Sequence, residues 1–437
     1  MTENTIERAD AALRFHTIRT DKFKMSRLSF NFILPADAER SPKTCLMMAT
    51  MMRGCEKYPS VVAINKRLDE LYGATVTWRA ATVGERHVFR LSSEFLSDKF
   101  RLSGDRESIA KGVCQVILDI LFTPLRGEDG LLSESNFESE RGLAIDSIKS
   151  LINNQKAYAA EKCKTLMFEG HPSGVPIKGT VEQIEKMTLG EVSENLEYFL
   201  KNSVIECFYV GDDDVSEIVD MVSTKFAPLG REVIALEGAE KAFLREEGAT
   251  VRVLEEQMNV SQGRLNIGCT CGIVMSDRER YAATLFNEIF GGSSVAKLFM
   301  NVREKKSLCY YCYSSYASAT GTIMIACGIK SENRDVAYEE IKAQLVEMQK
   351  GNFSSEDIET AKRTLISSVT QSSDSPAALE AFRFRRFLAG IEEDVTDVIN
   401  GLNGVTKEEI IAVAEKVRFD SVYFLSATEE EEDGDDE

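Results

Sequence analysis

Histidine is scarce in this chain. Its 437 residues hold three, His16, His87 and His171, and none has a second histidine four residues further on. A helix needs two such ligands on one face to hold zinc in the usual way, so no helix here carries that pair. Basic runs are also missing. The formal net charge is −19, and without clustered Lys and Arg the chain has no footprint for neutralising phosphates, which argues against nucleic acid as a partner. No window approaches the ~18 uninterrupted apolar residues of a membrane span. The opening residues, MTENTIERAD, lack the basic and apolar segments of a secretory signal. The ten cysteines show no framework spacing and read as reduced thiols of a cytoplasmic protein.

What is present is a globular composition, 43% hydrophobic, in a chain too long for one ordinary core. Residues 429–437 hold eight acidic groups and one glycine. That run accounts for −8 of the −19, and with no apolar residue to bury it is expected to be a disordered tail.

The chain is also written twice. RLSFNFIL at 27–34 and RLNIGCTC at 264–271 are both strand-like and lie 237 residues apart. The same offset carries Gly54 onto Gly291 and Gly84 onto Gly321. Ser41-Pro42 marks a helix start and Gly54 its stop, while Ser276 and Gly291 bound the matching helix. Later helices match at an offset near 218, and each half closes on a strand, VIECFYVGD and SVYFLSA. The expected architecture is α+β: two homologous domains, each an antiparallel sheet with helices on one side, closing as a clam shell. The expected boundaries are 1–227 for the first domain, 228–249 for a Gly- and charge-rich linker, 250–428 for the second domain and 429–437 for the tail.

Four runs then point to a family: LFMNVREKKSLCY at 298–310, RGCEKYP at 53–59, LDELYGA at 68–74 and HPSGVPIKGTVEQI at 171–184. Together they resemble the insulinase/pitrilysin family of zinc peptidases. The resemblance is to the branch that includes the mitochondrial processing peptidase subunits and bacterial two-subunit enzymes, and it covers nearly all of the chain except the acidic tail. That family's zinc site is an inverted H-x-x-E-H helix, with a further Glu from a later helix. The resemblance places Cys45, Met48 and Ala49 at the His, Glu and His of the motif. In FESERGLAIDSI it places Ser147 at the later Glu. Every zinc position is thus vacant, and TCLMMATMMRG reads as a core helix. The chain is expected to bind no metal and to be inactive as a peptidase alone.

The second half of the family also contributes an Arg and a Tyr in the pattern R-E-K-x-x-L-x-Y, which contact the scissile carbonyl or its oxyanion. Arg303 and Tyr310 match those positions. A fixed guanidinium and a phenol stabilise developing negative charge without a metal of their own. The plainer reading is that Arg suits a helix C-terminus and Tyr suits a strand. At the 237 offset Lys66 falls opposite Arg303, and Tyr72 does not reproduce the spacing.

The resemblance implies a non-catalytic subunit of a heterodimeric zinc metallopeptidase. A homologous partner carries the zinc, peptide binds in a shared chamber, and this chain supplies Arg303 and Tyr310. The alternative is a pseudo-peptidase that serves as a structural or peptide-binding scaffold. A third reading gathers Cys269, Cys271, Cys309 and Cys312 into a four-thiolate zinc site. Cys309 and Cys312 stand three apart on a strand, so they are expected on opposite faces, which disfavours it. His171 lies in a turn-rich segment and reads as structural.

Overall fold

The computed structural model describes residues 3–427, apart from 11–12, 105–106, 235, 237–239 and 247. The acidic tail and its expected disorder lie outside the described residues.

The described chain forms two compact units, each built on one sheet. The first uses β1 (Glu3–Asp10), β2 (Leu13–Arg19), β3 (Met25–Pro35), β4 (Thr75–Val83), β5 (Arg86–Leu96) and β6 (Val204–Gly211), in the order β1-β2-β6-β3-β5-β4. The second uses β7 (Arg252–Met258), β8 (Gly263–Thr270), β9 (Cys309–Ala317), β10 (Thr322–Ile329) and β11 (Arg418–Ala427), in the order β7-β11-β8-β10-β9. Dropping β1 leaves one order written twice, as the repeat predicts. The sheets are mixed rather than purely antiparallel. β6 enters between β2 and β3, running antiparallel to β3 and therefore parallel to β2. β11 does the same between β7 and β8.

Side chains alternate across each strand. On β3, Leu28, Phe30 and Phe32 join Phe89, Leu91, Ile205 and Cys207 in the first core. The helices Arg40–Met51, Ile109–Phe122 and Leu189–Asn202 cover that face with Met47, Met48, Val113, Ile117 and Phe199. The intervening residues Arg27, Ser29, Asn31, Arg90 and Glu206 turn to the other face. There Arg14 and His16 both bond Glu206.

That second face is not bare. The first unit includes residues 372–385 from late in the chain, and the second includes 151–174 from early in it. In the first unit Glu380, fully buried, meets Arg27 and accepts a bond from Ser29 at 2.7 Å. In the second, helix Gln155–Met167 packs Ala159 and Cys163 against Tyr423 and Leu425. Gly268 permits this approach, because a Cβ there would lie 2.7 Å from Met167 Sδ. Each sheet therefore carries a main helical layer on one face and a single helical segment on the other. The segments occupy matching places in the two repeats.

The repeat glycines have physical reasons. Gly84 and Gly321 sit at φ +58° and +65°, in the left-handed region that costs other residues energy. Gly54 and Gly291 instead allow close approach: an added Cβ would stand 2.8 Å from Leu125 Cδ1 or 2.6 Å from Ser314 Oγ. The helix starts differ by a little. The first helix begins at Arg40, where Asp37 Oδ1 accepts from the N–H groups of Glu39 and Arg40. Ser41 spends its hydroxyl on His87 Nδ1 at 2.6 Å. In the second unit the helix begins at Arg280, so Ser276 is not its cap.

Candidate functional site

The positions that the resemblance assigns to zinc lie on helices Arg40–Met51 and Glu134–Lys149 of the first unit. An Arg53–Glu140 ion pair ties the two regions together. Met48 is buried in the core and Cys45 is nearly so. The Cys45 thiol donates to the Ile177 carbonyl at 3.3 Å. Burial pushes its pKa up to about 12, against a small opposing pull from Lys178. Ala49 offers only a methyl group. Ser147 is exposed and accepts a long hydrogen bond, 3.4 Å, from Lys178 Nζ.

Zinc requires deprotonated thiolate, neutral imidazole or carboxylate ligands. The residues present are a protonated thiol, a thioether, a methyl group and a hydroxyl already beside an ammonium. They do not fit the metal. The segment Ile177–Lys178 joins both helices by its own polar contacts.

Arg303 and Tyr310 lie in the second unit, and each marks an irregular point of the backbone. Residues Leu298–Lys305 wind as a π-helix. This wider turn is a frequent feature of functional sites. Its end is closed by Ser307 N–H to the Arg303 carbonyl and Leu308 N–H to the Val302 carbonyl, both 3.0 Å, with Ser307 at φ +52°. The first unit repeats this closure. Gly73 N–H bonds the Asp69 carbonyl and Ala74 N–H the Leu68 carbonyl, with Gly73 at φ +71°.

Matching the two closures gives a local offset of 234, not 237. The residue opposite Arg303 is then Asp69 rather than Lys66, and the residue opposite Tyr310 is Val76. The first half thus carries an acid and an aliphatic group where the second carries the guanidinium and phenol.

Beyond the turn, β9 pairs with β10, with Tyr311 opposite Gly328 and Cys309 opposite Ile329. Tyr310 is the extra residue of a β-bulge, a device that re-aims a side chain next to a site. The β4–β5 pairing has no such interruption. Tyr310 is 51% exposed. The Arg303 side chain is 39% exposed, lies 4.4 Å from the centre of the Phe299 ring, and comes no nearer than 3.6 Å to Glu304.

The bulge overturns the expectation for the two cysteines. Residues opposite one another share a face, so Cys312 shares one with Cys327, and Cys309 with Ile329. Cys327 and Ile329 are two apart on β10, so all four point the same way. Cys309 and Cys312 therefore lie on one face. Cys327 joins them there as a residue the sequence reading missed. Cys269 instead neighbours Cys163 and Cys271, so the four thiols of the third reading do not gather. Among the described residues no group of three or more His, Cys, Asp or Glu is arranged to hold a metal, and no helix is long and apolar enough to cross a membrane. His171 lies against Phe168 and Phe243, consistent with a packing role.

The repeated α+β unit, with no zinc-fitting side chains at these positions, is similar to known proteins. Residues 186–365 match the family model described as the Peptidase M16 inactive domain. A Bacillus subtilis protein named as a probable inactive metalloprotease, YmfF, is 29% identical over 426 residues, 98% of each chain. The crystal structure of a conserved protein from Enterococcus faecalis has a TM-score of 0.90 at 24% identity, covering 98% of this chain and 99% of that one. A peptidase M16 inactive domain from Pseudomonas fluorescens has a TM-score of 0.77 at 17% identity, covering 97% and 98%. The chain is thus similar to M16-like peptidases described as inactive.

Proposed function

We propose that this chain is the non-catalytic subunit of a heterodimeric zinc metallopeptidase. It holds an extended peptide in a chamber shared with a zinc-bearing homologue and supplies Arg303 and Tyr310 to that partner's site. The partner's zinc would polarise the peptide carbonyl and activate water. Arg303 and Tyr310 would stabilise the oxyanion by charge and by an O–H donor.

One observation carries the reading. The guanidinium and the phenol stand at a widened helix end and a bulge, both substantially exposed, and Arg303 leans on a ring rather than on a close carboxylate. The other half of the repeat has Asp69 and Val76 at the matching places. An ordinary structural Arg or Tyr would more often be tied into the core.

The test is co-expression with a homologue that carries H-x-x-E-H, followed by assay on an unstructured peptide. The pair should cleave, neither chain alone should, and chelation should stop it. Arg303→Ala or Tyr310→Phe should lower kcat by roughly 10²–10³-fold, the scale of losing one oxyanion donor, while the pair stays associated. Unchanged kcat in both variants would reject the role of the two residues. Full cleavage activity without this chain would reject the heterodimer and leave a scaffold as the better reading.

A further inference from the structure

We infer that Cys309 is the reactive thiol of a hydroperoxide-sensitive site, with Cys312 or Cys327 supplying the second sulfur of a reversible disulfide. The inference does not depend on the proposed role of Arg303 and Tyr310.

The geometry comes from the backbone. The bulge at Tyr310 brings Cys309 onto the face already occupied by Cys312 and Cys327, which stand directly opposite each other on neighbouring strands. Cys309, opposite Ile329, is the diagonal neighbour of Cys327 on that face, a placement from which side chains still reach one another. Cys312 and Cys327 are near enough to Cys309 to act on its pKa. Access is graded, since Cys309 is half-buried while Cys312 and Cys327 are buried. A small reagent therefore meets Cys309 first. All ten cysteines are free thiols in this structure.

Electrostatics favours the same residue. Hydrogen bonds from Cys312 and Cys327 lower the Cys309 pKa below the ordinary thiol value, and the Arg303 charge adds to this, against a smaller opposing effect of burial. The pKa values of Cys312 and Cys327 are pushed up. One thiol of the three thus has the thiolate character that governs reaction with electrophiles.

The chemistry balances as follows. The Cys309 thiolate sulfur attacks one oxygen of a hydroperoxide and the O–O bond breaks. The departing oxygen takes a proton and leaves as alcohol or water. Sulfur is oxidised by two electrons to a sulfenic acid, and the peroxide is reduced by two. The neighbouring thiol then attacks that sulfur. The S–S bond forms, the S–O bond breaks, and hydroxide departs as water with the neighbour's proton. Net, two thiols and one hydroperoxide give a disulfide, an alcohol or water, and water.

The experiment uses the reduced full-length chain. Brief alkylation should mark Cys309 at least about tenfold faster than the other cysteines, with a rate midpoint below the ordinary thiol pKa. Hydrogen peroxide should remove two hydrogens from the intact mass, and dithiothreitol should restore them. Tandem mass spectrometry should place the link between Cys309 and Cys312 or Cys327. Cys309→Ser should abolish both effects, while Cys114→Ser, in the other unit, should abolish neither. Slow labelling of Cys309, oxygen addition without a disulfide, or a disulfide that persists in Cys309→Ser would each overturn the inference.

Discussion

At the residue scale, two kinds of position separate cleanly. Met48 is buried in the first core, so Met48→Ala should cost roughly 2–5 kcal/mol in chemical denaturation, from lost transfer energy plus a cavity. Arg303→Ala and Tyr310→Phe remove exposed groups, Arg303 coming only to 3.6 Å from Glu304, so each should leave stability within about 0.5 kcal/mol. A stability loss as large as that of Met48→Ala would mean that the pair serves packing. The absence of a His pair at helical spacing was legible in the sequence, because histidine is distinguishable by letter. The burial of Cys45 followed from its apolar helix, but the long bond from Lys178 to Ser147 did not, since it joins segments distant in the chain.

At the scale of elements, the exchanged segments and the turns govern. Glu380 is fully buried, with Arg27, Ser29 and Arg90 around it. Glu380→Ala would take the buried carboxylate from Arg90 and leave Arg27 only the partly exposed Glu94, and should cost about 3–5 kcal/mol. A loss below that of an exposed carboxylate control would contradict the docking described. Gly321→Ala should destabilise by about 1–2 kcal/mol for a left-handed residue. The Ile273 backbone N, 2.9 Å from the added Cβ, adds to this. The turn glycines and the strand patterns could be read from the sequence at a fixed offset. The bulge at Tyr310 could not. Strand periodicity assigns faces only while pairing is uninterrupted, and one inserted residue reverses the assignment for everything before it. That is why Cys309 and Cys312 were expected to point apart and in fact point together.

At the scale of the whole molecule, the two units trade a segment each. A fragment ending at residue 238 would lack 372–385 and leave the Arg27 and Arg90 face of its sheet uncovered. Expressed alone, it should lose the cooperative melt of the full chain and be cut readily by protease. Co-expression with 239–437 should restore both properties. A cooperative, protease-resistant fragment would show that the segment is dispensable. The isolated chain should also keep its melting temperature after chelation, since a metal that does not bind the native state cannot stabilise it.

The sequence by itself determined the repeat, the α+β character and the absence of any His pair four residues apart, because all three are written in residue type and spacing. Only the tertiary structure decided which segment joins which sheet, that Asp69 and not Lys66 stands opposite Arg303, and that three cysteines share a face. Those depend on ladder register and on contacts between residues hundreds of positions apart, where hydrogen-bond geometry rather than local pattern chooses the neighbour.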